Sequence, residues 1–138
     1  MRKRTQAREF ALQLLYQIDI TGDDCDQALL GFWQSNAGDN IEEEIKAFTS
    51  ELVKGVVASL TAIDAKISAY ATNWQLGRMA FVDRNILRMS CYELLFRADV
   101  PPKVSINEAV ELAKKYSTRE AAKFVNGILD KIKIEKEK

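Results

Sequence analysis

The chain has 138 residues, enough for one domain with a real core. With 47% hydrophobic residues and only two prolines it reads as globular rather than disordered. It contains no histidine, which removes His-based triads, His general bases and most zinc sites. The net charge of zero hides a segregation. Arg2, Lys3, Arg4 and Arg8 are the only charges among the first eight residues, whereas residues 19–51 carry nine acids against Lys46 alone. Charge by itself reads as solvated helix faces, with a local anion-binding surface as the alternative.

No phosphate-binding glycine loop, dinucleotide turn or nucleophile elbow occurs, and nothing points to a small-molecule cofactor or a metal. Cys25 and Cys91 lie in no ligand-like spacing and read as two reduced cysteines. Uncharged runs fall short of a membrane span, and no apolar region follows the basic start. The expectation is therefore a cytoplasmic protein.

The first helix is expected over residues 4–20, with Ala7, Phe10, Ala11, Leu14, Leu15 and Ile18 on its apolar side. Arg4 and Arg8 are one turn apart and are expected to project away from that side. Cations at a helix N-terminus oppose the macrodipole, at about 0.3–1 kcal/mol each if exposed. An anionic ligand would offset that cost, so their placement hints at function. A turn at Thr21-Gly22-Asp23-Asp24 precedes a short helix over 25–34, and residues 35–40 read as loop.

Apolar spacings of three, four and seven continue from Ile45 to Tyr70. One helix over residues 41–70 would be about 45 Å long, so the pattern is broken near 59–61, with Thr61-x-x-Asp64 as a capping box. Glu42, Glu43 and Glu44 fall where a helix dipole favours acids. Residues 71–81, with Trp74, Leu76, Met79 and Phe81, read as a connection packed into the core.

Residues 82–97, VDRNILRMSCYELLFR, organise the rest. Large apolar side chains point nearly all the way round the helical wheel, which predicts a buried helix. Arg84, Arg88 and Tyr92 share one drifting stripe, where this helix is expected to meet water or a partner. Pro101-Pro102 stops the chain, and Ser105-x-x-Glu108 and Ser117-x-x-Glu120 read as capping boxes opening two further helices. Gly127 inside the last helix costs about 1 kcal/mol unless another helix approaches closely there. Residues 133–138 read as a solvated tail. The fold class is all-α: a single compact bundle of about seven helices with a central buried helix, and residues 1–138 forming one domain.

Three segments stand together: RKRTQAREFALQLLYQ, VDRNILRMSCYEL, and the pair PPKVSINEAVELAKKYS and KFVNGILDKI. In this order and spacing they resemble the NusB family of transcription antitermination factors, over nearly the whole chain. The resemblance implies a helical RNA-binding protein that is not an enzyme and takes no cofactor. Its implied partners are the boxA element of nascent ribosomal RNA, the ribosomal protein NusE, and a larger antitermination complex with RNA polymerase. It implies no membrane and no small-molecule substrate.

By the same resemblance the RNA face comprises Arg2, Lys3, Arg4, Arg8, Tyr16, Lys123 and Phe124. Thr5 or Gln6 stands where some members have a further arginine. Read from spacing alone, Tyr16 and Phe124 would instead be core aromatics. The resemblance assigns Tyr70, Arg78, Asp83 and Arg84 to the protein partner. Two other classes share the pattern: the helical RNA-binding domain of a ribosomal RNA cytosine methyltransferase, and a helical interaction module without an RNA role.

Overall fold

The structure is a computed structural model that describes residues 2–35, 40–71 and 75–138. The expected loop at 36–39 and the packing of Trp74 lie outside the described residues. Seven α-helices and one short 3-10 turn make up the described secondary structure, with no strand among the described residues. The helices are α1 (Lys3–Thr21), α2 (Cys25–Ser35), α3 (Glu43–Ala58), α4 (Leu60–Tyr70), α5 (Phe81–Phe96), α6 (Pro102–Tyr116) and α7 (Arg119–Glu137). The chain divides into two compact units, Met1–Ala58 and Ser59–Lys138.

In the first unit α1 packs on α3, and α2 packs on both. Ala7, Ala11, Leu14 and Leu15 are buried along α1, with Phe48, Leu52, Val53 and Val56 buried on α3. Phe10, Phe32 and Trp33 meet edge to face, with ring centroids 5.1–5.7 Å apart. That geometry suits the aromatic quadrupole better than a face-to-face sandwich. Gly22 closes α1 in the left-handed conformation (φ 73°), which a residue without Cβ adopts at no steric cost.

In the second unit α5 is contacted by α4, α6 and α7. Its buried positions run from Asn85 through Cys91, then Glu93 and Leu94, and so cover the whole circumference, as the sequence pattern requires. Polar groups buried with it are paired. Arg88 grips Asp64 of α4 through two bonds, Nε to Oδ1 at 2.8 Å and Nη2 to Oδ2 at 2.9 Å. Ser105 of α6 donates to Glu93 Oε1 at 2.6 Å, and its Oγ lies 2.8 Å from Ser90 Oγ. Burial drives the Cys91 thiol up to about 12, so it stays protonated and inert.

Several sequence expectations are corrected here. The Arg84–Arg88–Tyr92 stripe does not turn wholly outward: Arg88 is buried, because a bidentate carboxylate satisfies its guanidinium. The break at Ser59 is present, but Ser59 is the N-cap and gives no side-chain cap, and Asp64 pairs with Arg88 instead of closing a box with Thr61.

The second helix of the expected proline-stopped pair starts at Pro102 itself, where a missing N–H costs nothing, and Ser105 turns inward instead of capping. The α7 cap is Thr118, whose hydroxyl accepts from the Ala121 N–H at 2.9 Å; Ser117 lies one residue too early. Phe81 is exposed rather than packed into the core. No neighbour lies within 4 Å of a Cβ built on Gly127, so no close helix approach explains that glycine.

The expected solvated tail is helical to Glu137. Glu135 accepts from Tyr70 Oη at 2.5 Å and from Lys66 Nζ at 3.0 Å, and Lys136 Nζ donates to the Leu94 carbonyl.

Candidate nucleic-acid interface

Two groups of sequence-chosen residues occupy the two units. In the first unit, Arg2 is the exposed N-cap residue of α1 and provides no side-chain cap. Lys3 Nζ lies 2.9 Å from carboxylate oxygens of both Glu42 and Glu44, beside the start of α3. The hydrogen bond to Glu44 and then that to Glu42 hold its ammonium above the ordinary lysine range. Two of the three acids that the sequence assigned to the helix dipole, Glu42 and Glu44, therefore also clasp Lys3.

The Arg4 guanidinium lies over the Phe48 ring at 4.3 Å, and Arg8 faces the same ring at 5.4 Å. Arg4 is exposed, but Arg8 is only 3% exposed, so the expectation that both project outward is corrected. A guanidinium can be buried against an aromatic face, where its planar, weakly hydrated cation is attracted by the ring. Tyr16, two turns further along α1, is 40% exposed and not a core aromatic.

In the second unit, the N-terminal turns of α5 and α7 and the chain before α5 line a half-open cavity of about 390 Å³. Phe124, Ala80 and Ala121 give it apolar wall, and Arg78, Asp83 and Glu120 give it charge. Phe124 is half-buried and faces this space, while its neighbour Lys123 is exposed. The cavity thus unites a residue chosen for RNA with two chosen for the protein partner.

The other partner candidates lie elsewhere. Arg84 stacks on the exposed Phe81 ring at 4.3 Å, and its Nη1 reaches the Leu76 carbonyl at 3.4 Å. Tyr70 is held by Glu135: that hydrogen bond raises the phenol above its usual range and is the main cause of the lowered Glu135 carboxyl.

Sequence reasoning missed Glu120, which it spent on a capping box, and the alanines at 80 and 121. No spacing rule links residues 78–83 to 118–124. They meet only because α7 packs against α5. Among the described residues no cluster of acids and cysteines could hold a metal ion, and no helix is long and apolar enough to cross a membrane.

The chain matches the NusB family over residues 5–133. It belongs to that family. It is 52% identical over 130 residues to the transcription antitermination protein NusB of Anaeromyxobacter sp. (strain Fw109-5), covering 94% of this chain and 89% of that protein. The structure superposes on Thermotoga maritima NusB with a TM-score of 0.87 at 38% identity, over 96% of this chain and 91% of that one. A NusB chain solved with NusE and double-stranded RNA matches with a TM-score of 0.87 at 29% identity, over 98% of each chain. The all-helical expectation and the resemblance drawn from the three sequence segments are thereby met.

Proposed function

We infer that this NusB-family chain is a transcription antitermination factor that binds boxA-type single-stranded RNA of nascent ribosomal transcripts together with NusE. The observation that carries this reading is the match to antitermination proteins along nearly the whole chain. One family match running through both units also supports reading residues 1–138 as one domain. The chain acts by binding and not by catalysis, needs no cofactor, and works in the cytoplasm with the RNA polymerase complex it helps to assemble.

Single-stranded RNA is held by cations along its phosphates and by flat side chains against its bases. Arg2, Lys3 and Arg4 supply the first from the start of α1, with Arg8 supporting Phe48 beneath Arg4. Lys123 adds a phosphate contact beside Phe124, and Phe124 and Tyr16 supply stacking surfaces. We assign Arg78 and Asp83, which share the Phe124 cavity, to the RNA side. Arg84, with its exposed Phe81 platform, and Tyr70 are left for the protein partner.

Filter binding of a boxA-like RNA and a scrambled one, each with and without NusE, tests the reading. Preferential retention of the boxA-like strand, strengthened by NusE, is the expected result. Equal retention of both strands under both conditions would contradict it.

A further inference from the structure

Gly127 lies well inside α7 and is exposed, and a Cβ built on it meets nothing within 4 Å among the described residues. Glycine is a poor helix former, and no neighbouring helix fills the space beside it, so folding gives no reason for its presence. What it does provide is bare main chain on an outward face. Lys123 and Lys131 stand one turn to either side of it, in an i, i+4, i+8 row, and both are exposed. Neither makes an ion pair or a hydrogen bond among the described residues, whereas Lys133 pairs with Glu137 and Lys136 donates to the Leu94 carbonyl. The two lysines rise from points about 12 Å apart along the axis, and their four-carbon stems let both ammonium groups close on the gap between them.

The chemistry of the row selects its occupant. Its exposed residues from Lys123 to Lys131 are those two lysines, Asn126, Gly127 and Asp130, with no large apolar side chain to anchor a protein. Two cations against one carboxylate favour an anion. We propose that a phosphodiester group of single-stranded RNA crosses α7 over Gly127, held between the Lys123 and Lys131 ammonium groups, so that the strand continues along α7 past Phe124. Gly127 is then a positioning residue: its missing side chain lets the phosphate sink to the depth that both lysines reach. Asp130 is the one opposing charge in the row. The proposal rests on the RNA-binding reading above and adds a backbone contact tract outside the cavity.

The test is fluorescence anisotropy of the full chain with a labelled boxA-like RNA across a salt series, with urea unfolding of each variant. Gly127→Gln covers the bare main chain with a good helix former. It should weaken RNA binding by about threefold or more while its urea midpoint holds or rises. Lys131→Gln should flatten the slope of log affinity against log salt by about 0.7, whereas Lys133→Gln, outside the row, should leave the slope as it is. Asp130→Asn should tighten binding, by up to about threefold.

Unchanged RNA affinity in Gly127→Gln, or an unchanged slope in Lys131→Gln, would overturn the proposal, while RNA binding by wild type leaves the broader reading standing. A lowered urea midpoint in Gly127→Gln would reveal an intramolecular neighbour and overturn it as well. Weakened NusE association in Gly127→Gln with RNA affinity intact would assign the row to protein and overturn it too. Failure of wild type to bind the boxA-like strand, with or without NusE, would overturn both readings.

Discussion

On the RNA-binding reading proposed above, the start of α1 and the cavity at Phe124 would offer the strand opposite kinds of surface. At α1 the groups are cations that already have intramolecular company: carboxylates on Lys3, and the Phe48 ring beneath Arg4 and Arg8. At the cavity they are an aromatic wall and a carboxylate oxygen with no donor. On that reading the first surface, which is open, would exchange one set of anions for another and contribute modest, salt-sensitive binding. The second is a half-open cavity, where stacking and a satisfied acceptor would count for more than at the open surface.

That contrast depends on a rigid α5, and the largest expected effect comes from loosening it. Arg88→Met breaks the bidentate pair with Asp64, which is only partly exposed, and should cost about 2–4 kcal/mol in urea unfolding. A cost under 1 kcal/mol would mean that the cavity is not braced by this pair.

Next in size is Phe124→Ala. As a half-buried platform it should lose about 1–3 kcal/mol of RNA affinity. Its stability loss should stay below the about 3–5 kcal/mol expected of a fully buried phenylalanine. A large drop in the urea midpoint, with RNA affinity preserved in the folded fraction, would make it a core residue and erase the comparison.

Gly127→Ala sharpens the same helix from the other side. With open space around the missing Cβ, it should stabilise the protein by up to about 1 kcal/mol in the same unfolding assay. A destabilised variant would reveal a neighbour at that position.

On the α1 side, replacing Glu42 and Glu44 by Gln releases Lys3. RNA affinity should then rise by a few-fold at most, roughly fivefold, because exposed ion pairs are weak. Unchanged affinity would mean that Lys3 does not meet the strand.

The smallest effect concerns the end of α7. The depressed Glu135 carboxyl contributes stability that is present above the ordinary carboxylate range and lost as pH falls through its lowered value. Tyr70, raised, contributes below the ordinary phenol range and loses that contribution as pH rises through its raised value. The protection factor of amides in the last turn of α7, taken relative to the intrinsic exchange rate at each pH, should therefore be greatest between about pH 5 and 9 and fall on both sides. A flat profile would remove the Tyr70–Glu135 link.

What the sequence made legible follows from what periodicity and chain geometry can carry. The seven helices, the turn at Gly22, the break at Ser59 and the buried α5 all follow from repeats of three and four, from glycine, or from the impossible length of one helix. The capping boxes at Thr61, Ser105 and Ser117 did not form. Asp64 is held by Arg88, Ser105 itself turns to Glu93, and Thr118 caps one residue after Ser117; local patterns cannot register the first two, which are tertiary contacts. For the candidate site, the sequence misjudged the exposure of Arg8, which burial against Phe48 decided. The cavity was illegible, because Asp83 and Glu120 are brought together only by helix packing.

The central claim is that charge at α1 and stacking at Phe124 serve one RNA strand by different physics. Measuring boxA-like RNA affinity against salt for wild type, Arg4→Ala and Phe124→Ala tests it most directly. Arg4→Ala should flatten the slope of log affinity against log salt by about 0.7, the value for one single-strand phosphate. Phe124→Ala should weaken binding at every salt concentration with the slope unchanged. An unchanged slope in Arg4→Ala, or a flattened one in Phe124→Ala, would contradict the account.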